Sequence, residues 1–493
     1  MDPWKNIAGL SRRQINDLQN SKLRYFINHQ LYPFSPHYQK LFDLQKIRPQ
    51  DIKCRADLQK VPFTSKADFV STVEHPEKFR NFILQPDQSK MRHALTAHRL
   101  LKLALYSAIG SKAYVAEKIN REYRPAFITF TTGTTNTPIS YLYSQYDIQN
   151  LYLSGSRMLQ LFDIRDSDRV VNVFPFAPHL AFWQVVLGGL SSGVLILSTG
   201  GGKVLTSDGN LGAILKMKPS VILGVPSYVY HLLRIAENKG YRMDFIKKVV
   251  LGAAAVTDSF KLKLLDLLTN MGARDVSILG TYGFTEARSA WAECPSAPST
   301  SSGYHLYPDK EIFEIIDPET GKVKNDGEDG EIVYTSIDSR ASAVIRYRTG
   351  DFVQGGITYE PCPFCRRRVP RLSYRINRIS DIKGLQLSKI KGSLVNLNNF
   401  STVLNDFPEI TEWQIEIRKK DNDPHEVDEL VVYVCEKDKT NRTQLAEDIK
   451  NKIHLSTEIS PNAIAFCSLP EIVKRLELET ASKEKRIVDS RPK

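Results

Sequence analysis

The chain has little cysteine, no long apolar run and no acidic excess, and each shortage removes a class of protein. Six cysteines in 493 residues are too few and too scattered for a disulfide framework. Cys54, Cys435 and Cys467 stand alone and read as packing residues. The longest apolar-rich stretch, 185–197 (VVLGGLSSGVLIL), is too short to span a bilayer and is interrupted by glycine and serine. It reads as a buried strand with its approach turn. The opening MDPWKNIAGLSRRQ lacks the apolar core of a signal peptide, which points to a cytoplasmic protein. No basic run is interleaved with aromatics, so nucleic acid is not an expected partner. Gly200-Gly201-Gly202 has no strand–turn–helix fingerprint around it and reads as a flexible turn.

What remains is an ordinary globular composition, 42% hydrophobic and 25% charged, on a chain long enough for about three units of roughly 150 residues. The formal net charge is +12, with the basic residues scattered. They form either a solvated surface or a field that attracts ATP and a phosphate-bearing acceptor.

The first 124 residues look helical: INDLQNSKLRYFINHQL carries apolar residues at helical spacing, and PFTSKADF offers a Thr or Ser cap before a further helix. From Phe127 the β-rich runs FITF, RVVNVFPF, GVLIL, SVILGVP, KKVVLGAAA and DVSILG alternate with amphipathic segments such as SYVYHLLRIAENKG. Strands alternating with helices imply parallel sheets covered on both faces. After about Gly303, EIFEIID and EIVYTSI flank a Gly/Asp turn and read as antiparallel strands. From about Asn377, WQIEIRKK, TNRTQLAEDIKNKI and ELVVYVCE describe a compact α+β unit. The expected fold is α/β: a large domain, 1–376, with parallel-rich sheets covered by helices plus an antiparallel subdomain, and a small α+β domain, 377–493.

Three short motifs carry candidate chemistry. Thr131, Thr132, Gly133, Thr134 and Thr135 follow the strand FITF. Such a loop either wraps phosphates with N–H and hydroxyl donors or is a plain Thr-rich turn. It is not a Walker A loop, since no G-K-[ST] follows. In Gly280–Glu286 (GTYGFTE), Gly283 would permit a sharp turn and place Glu286 at a strand's carboxyl end, where ligands bind in open α/β sheets. Glu286 then suits Mg²⁺, or is a solvated surface acid. In IRYRTGD, Asp351 either accepts hydrogen bonds from a ribose or sits in an ordinary turn.

In this order and at these separations, the three resemble the signature motifs of the adenylate-forming superfamily: acyl-CoA synthetases, luciferases and peptide-synthetase adenylation domains. The phenylacetate–CoA ligase family is the nearest resemblance, with segments similar to LQKVPFTSKADF, IIDPETGKV, DGEDGEIVYTS and IRYRTGD. It covers nearly the whole chain. It implies that Thr131–Thr135 form the phosphate loop, that Tyr282 and Gly283 flank the adenine and acyl pocket, and that Thr285 binds the α-phosphate. It further implies that Glu286 binds Mg²⁺, Asp351 holds the ribose, Arg378 supports it near the hinge, and Lys483 is the catalytic lysine of a mobile C-terminal domain. Phe182 and Trp183 would wall the acyl pocket, or belong to the core, and Gly252, Ala253 and Ala254 would form its floor.

The chain departs from that pattern. Asn136-Thr137-Pro138 stands where Gly-Lys-Pro is usual, a longer stretch separates Arg378 and Asp381 from Lys391-Gly392, and Ser482 replaces a glycine beside Lys483, with Lys485 as competitor. Cys362 and Cys365 form a C-x-x-C. With Cys294 and His305, which resemble family positions, they would make a closed structural zinc site; otherwise they are reduced thiols and an unrelated histidine. The function the resemblance implies is ATP- and Mg²⁺-dependent activation of a carboxylic acid, an aromatic one, as an acyl-adenylate, then transfer to CoA. The alternatives are a carrier-protein thiol, amine or reductase as acceptor, or a nucleotide-binding paralogue that does not catalyse.

Overall fold

The computed structural model describes residues 4–70, 77–131, 139–202, 204–254, 256–297, 300–379, 387–390, 393–420, 428–438, 440–457, 459–478 and 484–491. The opening is helical, led by Arg12–Phe26, which Ser11 and Gln14 close with a capping box. PFTSKADF gives only a 3-10 turn, Lys66–Asp68, rather than a full helix. Thr64 has been recruited instead as a bridge to Tyr347, far along the chain.

The first strands, β1 (Pro125–Phe130) and β2 (Ser140–Ser144), pair antiparallel as a separate hairpin. FITF therefore lies outside the parallel sheet. That sheet is built from β3 (Arg169–Asn172), β4 (Leu195–Ser198), β5 (Val221–Gly224), β6 (Lys248–Leu251) and β7 (Ser277–Phe284), in the order β4-β3-β5-β6-β7. Alternate residues go to opposite faces. Val170, Val221, Leu223 and Val250 join one core, and Val171, Ile222, Val249 and Leu251 join another. Burial on both faces is why these strands read as unbroken apolar runs.

The run at 185–197 is not one strand. Most of it continues the helix Leu180–Ser192, which ends at Gly193 with φ 68° before β4 begins. Glycines explain the helix. A Cβ on Gly188 would lie 2.9 Å from the Cα of Gly155 on helix Gln145–Leu161, and one on Gly189 would strike Ile196 of β4. Close helix–helix and helix–strand packing selected these residues.

Beyond β7 the sheet turns antiparallel, through β8 (Ser289–Ala292) and β9 (Tyr304–His305). A second sheet follows, of β10 (Glu311–Ile316), β11 (Gly330–Ser336) and β12 (Tyr347–Val353). The short β13 (Ile357–Thr358) and β14 (Arg371–Leu372) extend the first sheet beside β9. β15 (Ile376–Arg378), at the expected domain junction, pairs with β12. The C-terminal unit holds the hairpin β16 (Leu387–Ile390) and β17 (Ser393–Asn396). Its four-stranded sheet comprises β18 (Ile410–Lys419), β19 (Asp428–Glu436), β20 (Ala463–Phe466) and β21 (Ile487–Asp489). Helices Arg442–Thr457 and Leu469–Leu476 accompany it, and its apolar core is its own. The whole is a mixed α/β protein with a large sheet-and-helix domain and a small α+β one.

Candidate nucleotide and acyl site

The site grows from the end of β7. Gly283 does not make the turn; it is a strand residue paired with Ala290. Its lack of a side chain serves close packing, because a Cβ there would lie 2.6 Å from that of Ala290. The reversal comes at the 3-10 turn Thr285–Ala287, closed by Arg288 in the left-handed region at φ 56°. Glu286 thus stands half-buried on the turn joining β7 to β8. Its Oε1 accepts a hydrogen bond of 2.8 Å from the Tyr347 hydroxyl. Its Oε2 makes no hydrogen bond among the described residues, so one carboxylate oxygen is oriented and the other is available.

Tyr347 and Asp351 share one face of β12, four residues apart at the period of two that a strand imposes. The Asp351 carboxylate accepts from the Tyr282 hydroxyl at 2.8 Å and pairs with Arg378 Nε at 3.0 Å. Arg378 also donates to the Thr349 carbonyl, 3.0 Å away. Burial pushes the Asp351 carboxyl above its ordinary value, and the Arg378 guanidinium opposes that shift. Two strands and two crossing hydrogen bonds, Tyr282 to Asp351 and Tyr347 to Glu286, therefore join the GTYGFTE and IRYRTGD motifs into one polar surface.

The N-terminal segment supports this surface from behind. Thr64 N–H donates to the Arg346 carbonyl at 3.0 Å, and Arg348 N–H donates to the Thr64 carbonyl at 2.8 Å. Arg346, at φ 45°, buries its guanidinium against Glu314 and the Val61 carbonyl, with the Phe63 ring 4.0 Å away. The resemblance of LQKVPFTSKADF and IRYRTGD to one family thus has a physical basis: the two segments pack together.

Thr131 closes the neck of the phosphate-loop candidate. Its hydroxyl accepts from Ile139 N–H at 3.1 Å, and His179 Nδ1 lies 3.0 Å from the adjoining Phe130 carbonyl. Thr132, Gly133, Thr134 and Thr135 lie outside the described residues, and so does Lys483. Lys485 is described: its ammonium pairs with Glu477 at 2.7 Å on the surface of the small domain.

A mainly apolar cavity lies between helices Gln145–Leu161 and Leu180–Ser192 and the end of the parallel sheet. Met158, Phe174, Val185, Leu223 and Val250 line it, with Gly155 and Gly188 at the helix contact and Thr281 and Gln184 as its polar groups. Gln184 is buried and donates to the Met158 sulfur at 3.1 Å, a weak acceptor. None of Phe182, Trp183, Gly252, Ala253 or Ala254 is among its lining. On the helix, Phe182 and Trp183 point one way, into an aromatic cluster with Phe176 and Phe127, while Ala181, Gln184, Val185 and Gly188 meet the cavity. Gly252 contributes at one remove: a Cβ there would meet the Thr281 hydroxyl at 2.3 Å. Ala253, at φ 67°, and Ala254 are exposed.

Cys294, His305, Cys362 and Cys365 do come together. Their ligand atoms all lie within 4.8 Å of one another. Cys294 and Cys362 sulfurs are 3.6 Å apart, too far for a disulfide, and Cys365 Sγ is 3.3 Å from His305 Nε2. His305 Nδ1 faces the Ala292 carbonyl at 3.2 Å, which fixes the ring and leaves Nε2 toward the sulfurs.

Tyr347, Gln184 and Thr281 escaped the reading of the sequence. Tyr347 was within reach of it, since a strand that presents Asp351 also presents residue 347 on the same face. Gln184 was not, because it depends on how one helix is rotated.

The fold thus sets this polar surface at the end of β7, beside the turn that carries Glu286. A family model for AMP-binding enzymes matches residues 48–338, more than half of the chain, and the chain belongs to that family. Within it, the chain is 26% identical to the phenylacetate-coenzyme A ligase of Aromatoleum evansii, over 99% of this chain and 97% of that one. It is 23% identical to the phenylacetate-coenzyme A ligase of Thermus thermophilus, over 83% and 80% respectively. A crystal structure of 2-hydroxyisobutyryl-CoA ligase in the postadenylation state shares the fold, with a TM-score of 0.73 and 17% identity, covering 99% of this chain and 92% of that one.

Proposed function

We propose that the protein activates an aromatic carboxylic acid with ATP, releasing pyrophosphate, and passes the acyl group from the adenylate to the thiol of CoA. The observation that carries this reading is the joined pair Tyr282–Asp351–Arg378 and Tyr347–Glu286, which brings two oriented carboxylates to neighbouring strand ends, as a ribose acceptor and a cation ligand would require. The matched family and the ligases to which the chain is similar support the same reaction.

In this reaction two anions must approach, the carboxylate and the α-phosphate. Asp351 accepts hydrogen bonds from the ribose hydroxyls, and Arg378 holds Asp351 in place. Thr285 donates its hydroxyl to the α-phosphate. Thr131–Thr135 bind the departing phosphates. Mg²⁺ supplies positive charge there when bound with ATP, and the Oε2 of Glu286, which meets no donor among the described residues, fits it. Lys483 brings a further cation on the small domain, 377–493, and leaves with it when that domain moves for the second half-reaction. Lys485 is the weaker candidate because Glu477 already engages it. The cavity beside Thr281 is the apolar space offered to the side chain of the acid; at about 50 Å³ it must widen to admit an aromatic ring.

The four N/S donors around Cys362 fit a zinc ion. Tetrahedral coordination at about 2.3 Å places sulfurs about 3.8 Å apart, close to the separation present. Such a site is closed, and it ties β8, β9 and the knuckle at 362–365 together without entering the chemistry. A cytoplasmic setting suits thiols kept reduced, and no described helix is long and apolar enough to cross a membrane.

Carboxylate-dependent exchange of pyrophosphate into ATP, with a panel of aromatic and aliphatic acids, tests the first step; thioester formation on adding CoA tests the second. Exchange without thioester would move the acceptor to a carrier-protein thiol or an amine. No exchange with any acid would overturn the proposal.

A further inference from the structure

Residues 97–123 form a helical hairpin whose outer face is exposed. Helix Ala97–Ile109 is capped by Thr96, helix Lys112–Tyr123 by Ser111, and the first contains no buried residue. Its inner side, Leu100 and Leu103, packs with Ile119 against the main core. Its outer side presents Leu101, Leu105 and Ile109, exposed by 71%, 56% and 77%. Their spacing of four residues aligns them as one ridge along the helix axis.

The charges around that ridge are one-sided. The hairpin holds five basic residues against two acidic ones. Both acids are engaged, Glu122 by Arg99 and Glu117 by Arg121. Lys102, Lys112 and Lys118 have no carboxylate partner among the described residues, and Lys102 and Lys118 instead lie over the Tyr106 and Tyr114 rings. Tyr114 is itself exposed beside the ridge.

We infer that this hairpin docks on an anionic lipid surface, with Leu101, Leu105 and Ile109 in the interface and the three free lysines against the headgroups. An in-plane amphipathic helix with lysines on its polar flank and an aromatic at the boundary is what such a surface accepts. A second copy of the chain fits poorly. It would bring the same uncompensated positive charge, and the ridge offers roughly half of the about 800 Å² per partner that a stable interface buries. Docking here is independent of the reaction proposed above, because no residue of the hairpin belongs to the nucleotide or acyl site.

Co-sedimentation of the full chain with phosphatidylglycerol/phosphatidylcholine vesicles (3:7, about 0.1 M salt) and with pure phosphatidylcholine vesicles tests it. Binding is expected to the anionic vesicles and at least about tenfold weaker to the neutral ones. The triple substitution Leu101→Gln, Leu105→Gln, Ile109→Gln should lower the anionic partition coefficient about tenfold or more, and Lys102→Gln with Lys112→Gln and Lys118→Gln should do the same while flattening the salt dependence. An unchanged melting temperature and circular dichroism spectrum confirm that each variant is folded. Absence of binding by the unsubstituted protein, or binding that both variants retain, overturns the inference. Sedimentation equilibrium showing a dimer that the apolar triple variant loses would assign the face to a second copy and overturn it as well.

Discussion

The candidate nucleotide surface and the apolar cavity beside Thr281 are built on opposite principles. At the nucleotide surface, Glu286, Tyr282, Asp351 and Arg378 are polar side chains set on strand ends and held by one another. The cavity, by contrast, is made of helix faces and of atoms that are missing, above all at Gly155 and Gly188. The first region is written in short contiguous motifs because a strand end places neighbouring residues in one spot. The second is written across residues 155–290 because two helices and a sheet must meet to enclose it. It follows that the first should govern rate with little effect on stability, and the second should govern stability and choice of acid with little effect on ATP.

The sharpest break of that contrast comes from Glu286→Gln. The variant keeps the Tyr347 hydrogen bond through its remaining oxygen but loses the charge. Pyrophosphate exchange should fall by about a hundredfold or more, a few kcal/mol of lost charge stabilisation, with an unchanged melting temperature. Normal exchange in a folded protein would remove Glu286 from the cation site. Next is Lys483→Ala, expected to slow adenylate formation by about a hundredfold while consumption of supplied acyl-AMP changes much less. Lys485→Ala should do little, since it breaks only a surface pair with Glu477. Equal loss in both half-reactions, or greater loss at Lys485, would reassign the terminal motif.

In the cavity, Gly155→Ala should invert the pattern. Its Cβ would lie 2.5 Å from the Gly188 Cα, and backbone must move to admit it. Overpacking of this kind costs about 1–3 kcal/mol. Thermal unfolding should register that loss and the relative rates among acids should shift, with the KM for ATP nearly constant. A fallen ATP affinity with an unchanged acid profile would break the division. The zinc reading predicts about one zinc per chain by metal analysis, and chelation should lower the melting temperature before it lowers the rate per folded molecule. All four groups freely modifiable in metal-free protein as purified would exclude the site.

The smallest effect tests burial alone. Glu311 is enclosed, accepting from Trp291 Nε1 at 2.5 Å and Tyr307 N–H at 2.8 Å, and burial pushes its carboxyl up to about 8. A carboxyl raised above its unfolded value binds its proton more tightly when folded. Its contribution is therefore fully present below about pH 4.5 and is lost as pH rises through about 8. Glu311→Gln keeps both accepted hydrogen bonds, so its melting temperature relative to the parent should rise between pH 5 and pH 9. A constant difference would show that Glu311 does not titrate in that window.

The sequence by itself determined the strand–helix alternation of residues 169–284, the antiparallel turn beyond it and the small α+β unit. These follow from periodicity, which is local, and from burial on one face or two. It also marked the contiguous motifs GTYGFTE, IRYRTGD and the C-x-x-C, while the fold decided that the first two meet and that Cys294 and His305 join the third. Only the tertiary structure decided that FITF forms a hairpin outside the parallel sheet, that 185–197 is mostly helix, and that Gly283 packs rather than turns. An apolar run has the same appearance in a buried helix and a buried strand, and a glycine the same appearance in a turn and a tight contact. Only the neighbours that arrive from elsewhere in the chain, Gly155 against Gly188 and Ala290 against Gly283, separate them. The same reason hid the cavity: Ala181, Gln184, Val185 and Gly188 rather than Phe182 and Trp183 face it, because the rotation of a helix is set by what it packs on.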